Sequence, residues 1–282
     1  MKLSLAKTIF EASFLSQIAN RESRDADRTI PYAYATMGIG KTSMVHQIRS
    51  EHDWGLYILS LASMDAAEVN GIIALLEREA HRVMPFWLRR LHEMAAEHEV
   101  VILFLDELPQ APVANMNVAR QIINELRVGE FDLPHNVVLC AAGNRMSDRA
   151  GTNNMPSHLK DCLMFLEIDP DVEDAIAYMV ANGVHEDVTA YLRARPEFAV
   201  KFDRDANANP SFRSWDRVST ILSWGLPPVA EAEAIAGTVG RPAAADFMGF
   251  RKMKASSATL TVPRCRRMQW FSMPWHPALP TA

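Results

Sequence analysis

Five short, uninterrupted apolar runs, separated by segments long enough to form helices, limit the fold more than any other feature of the sequence. The runs lie at residues 29–34, 56–61, 100–105, 137–142 and 164–168. Apolar residues that follow one another without alternation are typical of strands buried on both faces, and intervening helices make such strands parallel. We therefore predict an α/β fold, a three-layer αβα domain with a parallel sheet, over residues 1–170.

The rest of the chain lacks such runs. From Asp171 onward, helical segments follow one another and are separated by turn-forming pairs such as Asn182-Gly183 and Pro227-Pro228. This pattern predicts a small all-helical domain over residues 171–254. Residues 255–282 show little periodicity of either kind, and we expect them to form a poorly ordered tail.

The first 20 residues contain apolar side chains at helical spacing, which predicts a leading amphipathic helix over residues 1–20. Lys7 and Glu11 would interrupt the apolar core of a signal peptide, so we expect no export. No run in the chain approaches the roughly 18 apolar residues that a membrane span needs. We therefore expect a cytoplasmic protein that has no membrane partner.

Charge and cysteine content exclude further classes of protein. Lys and Arg number 29 against 34 Asp and Glu, and the resulting net charge of −5 gives no positive field for a phosphate backbone. This balance argues against nucleic acid as a partner. Cys140, Cys162 and Cys265 are odd in number and far apart, which indicates neither a disulfide framework nor a zinc site.

Residues 35–42, with the sequence AlaThrMetGlyIleGlyLysThr, join the first apolar run to a helical segment. In a phosphate-binding loop, glycines bring the backbone N–H groups close to the phosphates, a lysine bridges two phosphates, and a hydroxyl binds Mg²⁺. The alternative is a strand-to-helix turn that matches this pattern by chance. The predicted nucleotide-binding residues are Gly38, Ile39, Gly40, Lys41, Thr42 and Ser43.

Ala35 departs from this motif, whose first position is normally glycine. Alanine keeps the backbone N–H, so the change matters only through backbone conformation. A position that needs positive φ would cost about 1 kcal/mol with alanine, and any other position would cost little. We therefore expect nucleotide binding to be weakened rather than lost.

Two acidic residues, Asp106 and Glu107, follow a buried apolar run roughly 65 residues after the loop lysine. In parallel sheets, ligands bind at the carboxyl ends of the strands. Asp106 can hold Mg²⁺ there through water, and Glu107 can polarise an attacking water molecule. The alternative is a strand that merely ends in solvated acids.

Asn144 ends the next buried run, within Gly143-Asn144-Arg145. An amide beside the terminal phosphate can orient water without adding negative charge to an already anionic site. The alternative is an ordinary turn residue. Because the run follows the acidic strand, we predict that Asn144 senses the terminal phosphate.

Together, these residues resemble the AAA+ ATPases and, within them, the MoxR-like group. The resemblance covers residues 29 to about 252 and extends beyond the motifs to segments in the family's order. These segments are residues 63–71, 85–88, 103–112, 129–134, 141–151, 155–161 and 209–215.

The resemblance implies an ATPase core followed by a helical lid, with ATP and Mg²⁺ bound between the subunits of a hexameric ring. It assigns Lys41 and Thr42 to phosphate and Mg²⁺, Asp106 to Mg²⁺ and Glu107 to water. Asn144 would be the first sensor. Arg213, at the start of a lid helix, matches a second sensor that touches the terminal phosphate; the alternative is a surface ion pair.

Cys162 is a second departure, because the family usually has arginine here, the finger that reaches into the neighbouring subunit's site. Such a finger can contribute about 10³ to 10⁵ in rate, and cysteine cannot replace it. Lys160, Arg145 and Arg149 are candidates for partial replacement. A reactive thiol at Cys162 is the alternative, although only Lys160 lies near enough in sequence to lower its pKa.

The leading hypothesis is an ATP-dependent remodelling protein that acts on a protein client, as relatives in the group do, often beside a partner with a von Willebrand factor A domain. The alternative is a nucleotide-responsive scaffold that binds ATP but barely hydrolyses it, because of Ala35 and Cys162. A DNA-remodelling ATPase is less favoured by the charge. The tail contains basic and aromatic residues that could bind nucleic acid or a partner by charge and stacking: Arg264, Arg266, Arg267, Trp270, Phe271 and Trp275. The alternative is a disordered tail.

Overall fold

The computed structural model describes residues 1–20, 29–76, 79–145, 153–203 and 205–260. Its strands are β1 Ile30–Ala35, β2 Gly55–Ser60, β3 Ile73–Leu76, β4 Glu79–Arg82, β5 Val101–Asp106, β6 Arg127–Val128, β7 Phe131–Asp132, β8 Val137–Asn144 and β9 Leu163–Glu167. Its α-helices are α1 Leu3–Ala19, α2 Lys41–His52, α3 Ala66–Asn70, α4 Phe86–Glu97, α5 Val113–Glu125, α6 Ser157–Lys160, α7 Val172–Ala181, α8 Glu186–Ala194, α9 Phe212–Leu222, α10 Pro228–Val239 and α11 Arg241–Leu260.

A five-stranded parallel sheet in the order β2-β5-β8-β1-β9 forms the centre of the molecule. These strands are the five that the apolar runs predict. Their register places Ala35 opposite Asn144 and Ser60 opposite Asp106. The carboxyl ends of β1, β5 and β8 therefore meet at one edge of the sheet, where the predicted site residues lie.

Helices cover both faces of this sheet, which confirms the three-layer prediction. Alternate residues of β5 show the division: Phe104 belongs to a core with Phe10 of α1 and Ile48 of α2, whereas Leu103 belongs to a second core with Leu88 of α4 and others from α5. A strand buried on both faces needs apolar residues at every position. The uninterrupted runs in the sequence follow from this burial.

The C-terminal region is helical, from α7 to α11, as the turn-forming pairs predict. Aromatic side chains hold it together, with Tyr191 of α8 lying 5.1 Å, centroid to centroid, from both Trp215 and Phe247. The first core is continuous from the sheet into this region. The division into a domain of residues 1–170 and one of residues 171–254 stays a prediction.

α11 continues six residues past Lys254, to Leu260, and the tail boundary at residue 255 stays a prediction. Ala and Ser at 255–258 carry no helix breaker, and the next proline is Pro263. Residues 261–282, including the tail's arginines and tryptophans, lie outside the described residues. No helix in the described ranges is long and apolar enough to cross a membrane.

Two antiparallel hairpins, β3-β4 and β6-β7, were not predicted. The β3-β4 hairpin lies outside the main sheet, and Ile73 and Leu75 on it are 65% and 80% exposed. Its apolar residues are therefore not part of a core. A rule that reads apolar runs as buried strands does not find an element of this kind.

Candidate functional site

The glycine-containing loop leads from the end of β1 directly into α2. Gly38 and Gly40 have φ values of 79° and 103°, a region that glycine adopts without strain. Ala35 is the last residue of β1, fully buried, and it is not among the described residues with positive φ. The position of Ala35 does not need a glycine, so its departure from the motif costs little.

Lys41 begins α2, and its side chain turns back into the loop. Its Nζ donates to the carbonyl oxygens of Ala35 at 3.1 Å and Thr36 at 3.3 Å, and to Oδ1 of Asn144 at 2.9 Å. The side chain is only 9% exposed, and a buried ammonium needs such oxygen partners. Phosphate oxygens are stronger acceptors than carbonyl oxygens, so this cradle fits a phosphate.

Thr42 and Asp106 form a second contact at the same edge, where Oγ1 of Thr42 donates to Oδ2 of Asp106 at 3.2 Å. The other carboxylate oxygen accepts the backbone N–H of Glu107 at 2.9 Å. A hydroxyl and a carboxylate are the kind of hard oxygen ligand that Mg²⁺ takes, usually together with waters and phosphate oxygens. These two residues therefore fit a Mg²⁺ ion held beside the loop.

Glu107 has a left-handed backbone, with φ of 55°, and an exposed side chain. A non-glycine residue in this region carries strain on the order of 1 kcal/mol, and such strain concentrates at functional sites. The buried Leu108 and Pro109 hold the turn, because they begin a short 3-10 helix over Leu108–Gln110. The bend directs the chain away from β5 immediately after Asp106.

The N-terminus of α9 lies against the loop, although it is roughly 170 residues away in sequence. The backbone N–H of Arg213 donates to the carbonyl oxygen of Gly38 at 3.2 Å. Ser211 caps α9 in a reciprocal pair of hydrogen bonds with Ser214. A Cβ at Gly38 would lie 2.8 Å from Oγ of Ser211, so the loop and the start of α9 are in close contact. The exposed side chain of Arg213 therefore starts from a backbone fixed to the phosphate loop.

The structure thus joins most of the predicted site by direct contacts: Lys41 with Asn144, Thr42 with Asp106, and Gly38 with Arg213. Ile39 is buried in the first core and Ser43 is half-buried in the first turn of α2. Glu107 contributes a backbone contact to Asp106, while its side chain points to solvent. The roles assigned to these residues remain proposals.

The residues near the predicted finger position differ in how they are held. Cys162 lies between α6 and β9, and its Sγ donates to the carbonyl oxygen of His158 at 3.1 Å. Lys160, at the end of α6, is exposed. Arg145 forms ion pairs with Glu167 and Asp169 of its own chain. Arg149 lies outside the described residues.

Sequence reasoning missed Gly143, which directly precedes Asn144. A Cβ there would lie 2.3 Å from Oη of Tyr32 and 2.4 Å from Cδ of Pro109, so no larger residue fits without movement. A glycine within an otherwise apolar strand indicates close approach of another backbone or side chain. The apolar run at residues 137–142 followed by Gly143 carries this signal in the sequence.

The central sheet is parallel and covered by helices on both faces, and its first strand leads through a glycine loop into a helix that begins with a lysine. An acidic strand end lies beside that loop. These features define the P-loop fold of nucleotide-binding proteins. The comparison with protein families agrees with this class. Residues 32–158 match the model of the AAA family, described as the ATPase family associated with various cellular activities. The match covers somewhat less than half of the chain and includes the loop, Asp106, Glu107 and Asn144; Arg213 lies beyond it.

Among solved structures, the chain is similar to variants of RuvB from Thermotoga maritima. One is 14% identical, with 86% of this chain and 69% of that chain covered and a TM-score of 0.44. Another is 14% identical, with 87% and 68% covered and a TM-score of 0.45. No curated protein matches the chain.

Proposed function

We propose that the protein binds ATP and Mg²⁺ at the phosphate loop and hydrolyses the bond between the terminal phosphate and the rest of the nucleotide. One observation carries this proposal: Lys41 contacts Asn144, and Thr42 contacts Asp106, at the same edge of the sheet. The ends of β5 and β8 supply Asp106 and Asn144, and the start of α2 supplies Lys41 and Thr42. Their convergence supports a nucleotide site over a chance strand-to-helix turn.

Each residue has a defined task in this proposal. The Lys41 ammonium exchanges loop carbonyl oxygens for phosphate oxygens, and Thr42 and Asp106 hold Mg²⁺, which when bound neutralises charge on the phosphates. Glu107 orients water and accepts its proton. In the described structure, Asn144 accepts a hydrogen bond from the Lys41 ammonium, which also donates to the carbonyl oxygens of Ala35 and Thr36. In this proposal, Asn144 faces the terminal phosphate when ATP binds.

Arg213 supplies a further positive charge from the helical region. Its backbone N–H is bonded to the carbonyl oxygen of Gly38, so its exposed side chain starts beside the loop. Charge on the terminal phosphate would then attract the helical region toward the sheet. This makes α9 the element that responds to ATP.

At a finer level, we propose a MoxR-like remodelling protein that works as a ring, hexameric in the family it resembles, on a protein client and beside a partner with a von Willebrand factor A domain. The order of the family-like segments supports this level. AAA-family proteins commonly form rings, in which a neighbour completes the site. The acidic charge balance continues to argue against DNA as the client.

A second candidate, the hydrolysis-impaired scaffold, is favoured by Cys162 at the finger position. Arg145 is held within its own chain, which leaves exposed Lys160 as the described candidate to act on a neighbour. Lysine lacks the planar fork with which arginine binds two phosphate oxygens. Ala35, in contrast, no longer supports this candidate, because it lies in a strand.

ATP turnover per subunit, measured across protein concentrations with nucleotide binding in the same samples, tests the proposal. Glu107→Gln is the blank, because it keeps the shape of the side chain and removes the base. Glu130→Gln, at an exposed acid in the β6-β7 turn, is the matched control and should leave turnover unchanged. We expect the blank to bind ATP and to lose turnover by at least about 10²-fold.

The outcomes separate the candidates. Turnover that rises with concentration and disappears in the blank supports a ring with shared sites. Binding without turnover above the blank supports the scaffold. Absence of nucleotide binding in the unaltered protein would overturn both.

A further inference from the structure

Arg145 directly follows β8 and contacts both the phosphate loop and the segment that leads into the helical region. It directly follows Asn144, whose Oδ1 accepts from Lys41. Its own backbone N–H donates to the carbonyl oxygen of Ala35 at 3.3 Å, at the start of the phosphate loop. The backbone of Arg145 is therefore fixed to both ends of the cradle that holds the lysine.

The side chain of Arg145 reaches in another direction, to the end of β9. Its Nη2 donates to the carbonyl oxygen of Ile168 at 3.1 Å and to Oδ1 of Asp169 at 2.6 Å. The same atom lies 3.2 Å from a carboxylate oxygen of Glu167. One guanidinium thus contacts three successive residues at the exit from the sheet.

Those three residues lead directly into α7, the first helix of the helical region. Asp171, two residues later, caps α7 by accepting the backbone N–H of Asp174. Between Ile168, which is buried, and this cap, the chain passes from the sheet to α7 in a short connection. The direction of that connection, together with the contacts of Lys2 with Asp171 and of Ser4 with Asp174, sets where α7 lies relative to the phosphate loop.

Charge holds this contact in place at neutral pH. The Arg145 hydrogen bond, with a smaller contribution from the Met1 amino group 3.1 Å away, lowers the pKa of Asp169 below its usual value near 3.8. Asp169 is therefore ionised at any pH where an ATP assay is run. The guanidinium is 24% exposed, whereas the carboxylates of Asp169 and Glu167 are 63% and 54% exposed, so the contact is open to water on the carboxylate side.

We propose that Arg145 is a positioning residue that couples occupancy of the phosphate site to the orientation of the helical region. The inference rests on the proposed nucleotide binding. A phosphate that accepts hydrogen bonds from the Lys41 ammonium weakens the bond from Lys41 to Asn144, and the end of β8 shifts in response. Arg145 is the next residue, and its contacts carry this adjustment to Asp169 and thereby to α7.

The alternative is that Arg145 merely stabilises the fold. Arg251 provides a matched comparison, since it is 26% exposed and also contacts two carboxylates, those of Asp187 and Glu231. All three of these residues lie within the helical region. Arg251→Gln therefore removes a similar ion pair that does not join the region to the site.

Amide hydrogen exchange of the chain of residues 1–282, with and without a non-hydrolysable ATP analogue and Mg²⁺ at saturation, is the test. We expect the analogue to slow exchange in α7 and α9, and Arg145→Gln to reduce that effect about fivefold or more. Arg145→Lys should restore part of it. Arg251→Gln should change exchange equally with and without the analogue, which leaves the difference intact.

Two results would overturn the inference alone: an unchanged nucleotide effect in Arg145→Gln, or an equal loss in Arg251→Gln. An unaltered protein that binds the analogue without any response in α7 and α9 would overturn it as well. Failure of the unaltered protein to bind the analogue would instead overturn the proposed function. Asp169→Asn removes the charge that Arg145 shares with the Met1 amino group and leaves the contacts of Arg145 to Ile168 and Glu167; it replaces Arg145→Gln if that variant does not fold.

Discussion

Gln17 shows how a single buried side chain completes the central sheet. Its Nε2 donates to the carbonyl oxygen of Leu139 at 3.0 Å, and its Oε1 accepts the Leu139 N–H at 2.8 Å. Leu139 lies on β8 before the first residue pair with β1, Tyr32 opposite Ala141. The amide of Gln17 therefore takes the place of a neighbouring strand for one residue.

We predict that Gln17→Ala lowers the free energy of unfolding by about 1–3 kcal/mol, because it leaves the backbone N–H and carbonyl oxygen of Leu139 buried without partners. Urea unfolding followed by circular dichroism measures the change. Gln47→Ala is the control, since Gln47 is exposed on α2 and bonds only Glu51. Equal stability of the two variants would show that the Gln17 contacts contribute nothing.

At the scale of elements, the end of β8 is positioned by its packing against the 3-10 helix over Leu108–Gln110. Gly143 makes this possible, because any Cβ would collide with Pro109 and Tyr32. The approach brings Asn144 and the turn at Glu107 to the same edge. A small residue within one strand thus determines the spacing between two parts of the site.

Gly143→Ala should therefore destabilise the protein by about 1–3 kcal/mol through overpacking, and it should weaken ATP binding because β8 shifts. Gly249→Ala in α11 is the opposite case. Apart from its chain neighbours and the backbone of its own helix, no described atom lies within 4 Å of its Cβ position, so alanine there should be neutral or stabilise by up to about 1 kcal/mol. Thermal unfolding and nucleotide titration of both variants test this; a Gly143→Ala protein as stable as the unaltered chain would contradict it.

The sequence predicts the elements whose burial is uniform and misses those set by distant contacts. The five strands of the sheet are confirmed because both of their faces are covered, which requires apolar runs. The β3-β4 hairpin has exposed apolar residues, so burial does not define it. The contacts of Gln17 with Leu139 and of Gly38 with Arg213 join residues far apart in the chain, and local pattern carries no information about such pairs.

At the scale of the whole molecule, the proposed site is divided between regions and, in a ring, between subunits. The sheet and its connections supply the glycine loop, the end of β5 with Asp106, and the end of β8 with Asn144. Arg213 comes from the helical region. A finger would come from a neighbour, and the family resemblance assigns that position to Cys162. Hydrolysis should then be limited by the missing positive charge rather than by the loop.

We therefore predict that Cys162→Arg raises ATP turnover by at least about tenfold, with the roughly 10³ to 10⁵ that a full arginine finger contributes as the upper limit. The increase should occur only at protein concentrations where subunits associate, because the added guanidinium acts on a neighbouring site. Turnover and light scattering measured on the same dilution series test both parts. Nucleotide affinity should change little, since the loop is untouched.

Ser157→Arg is the matched control, because it adds the same charge to an exposed position at the other end of α6. An increase confined to Cys162→Arg means that the position, and not the charge alone, matters. An equal increase in both variants would assign the effect to general electrostatic attraction. No increase in Cys162→Arg would mean that another cation, with Lys160 the exposed candidate, already serves the neighbouring site, or that the site is not shared between subunits.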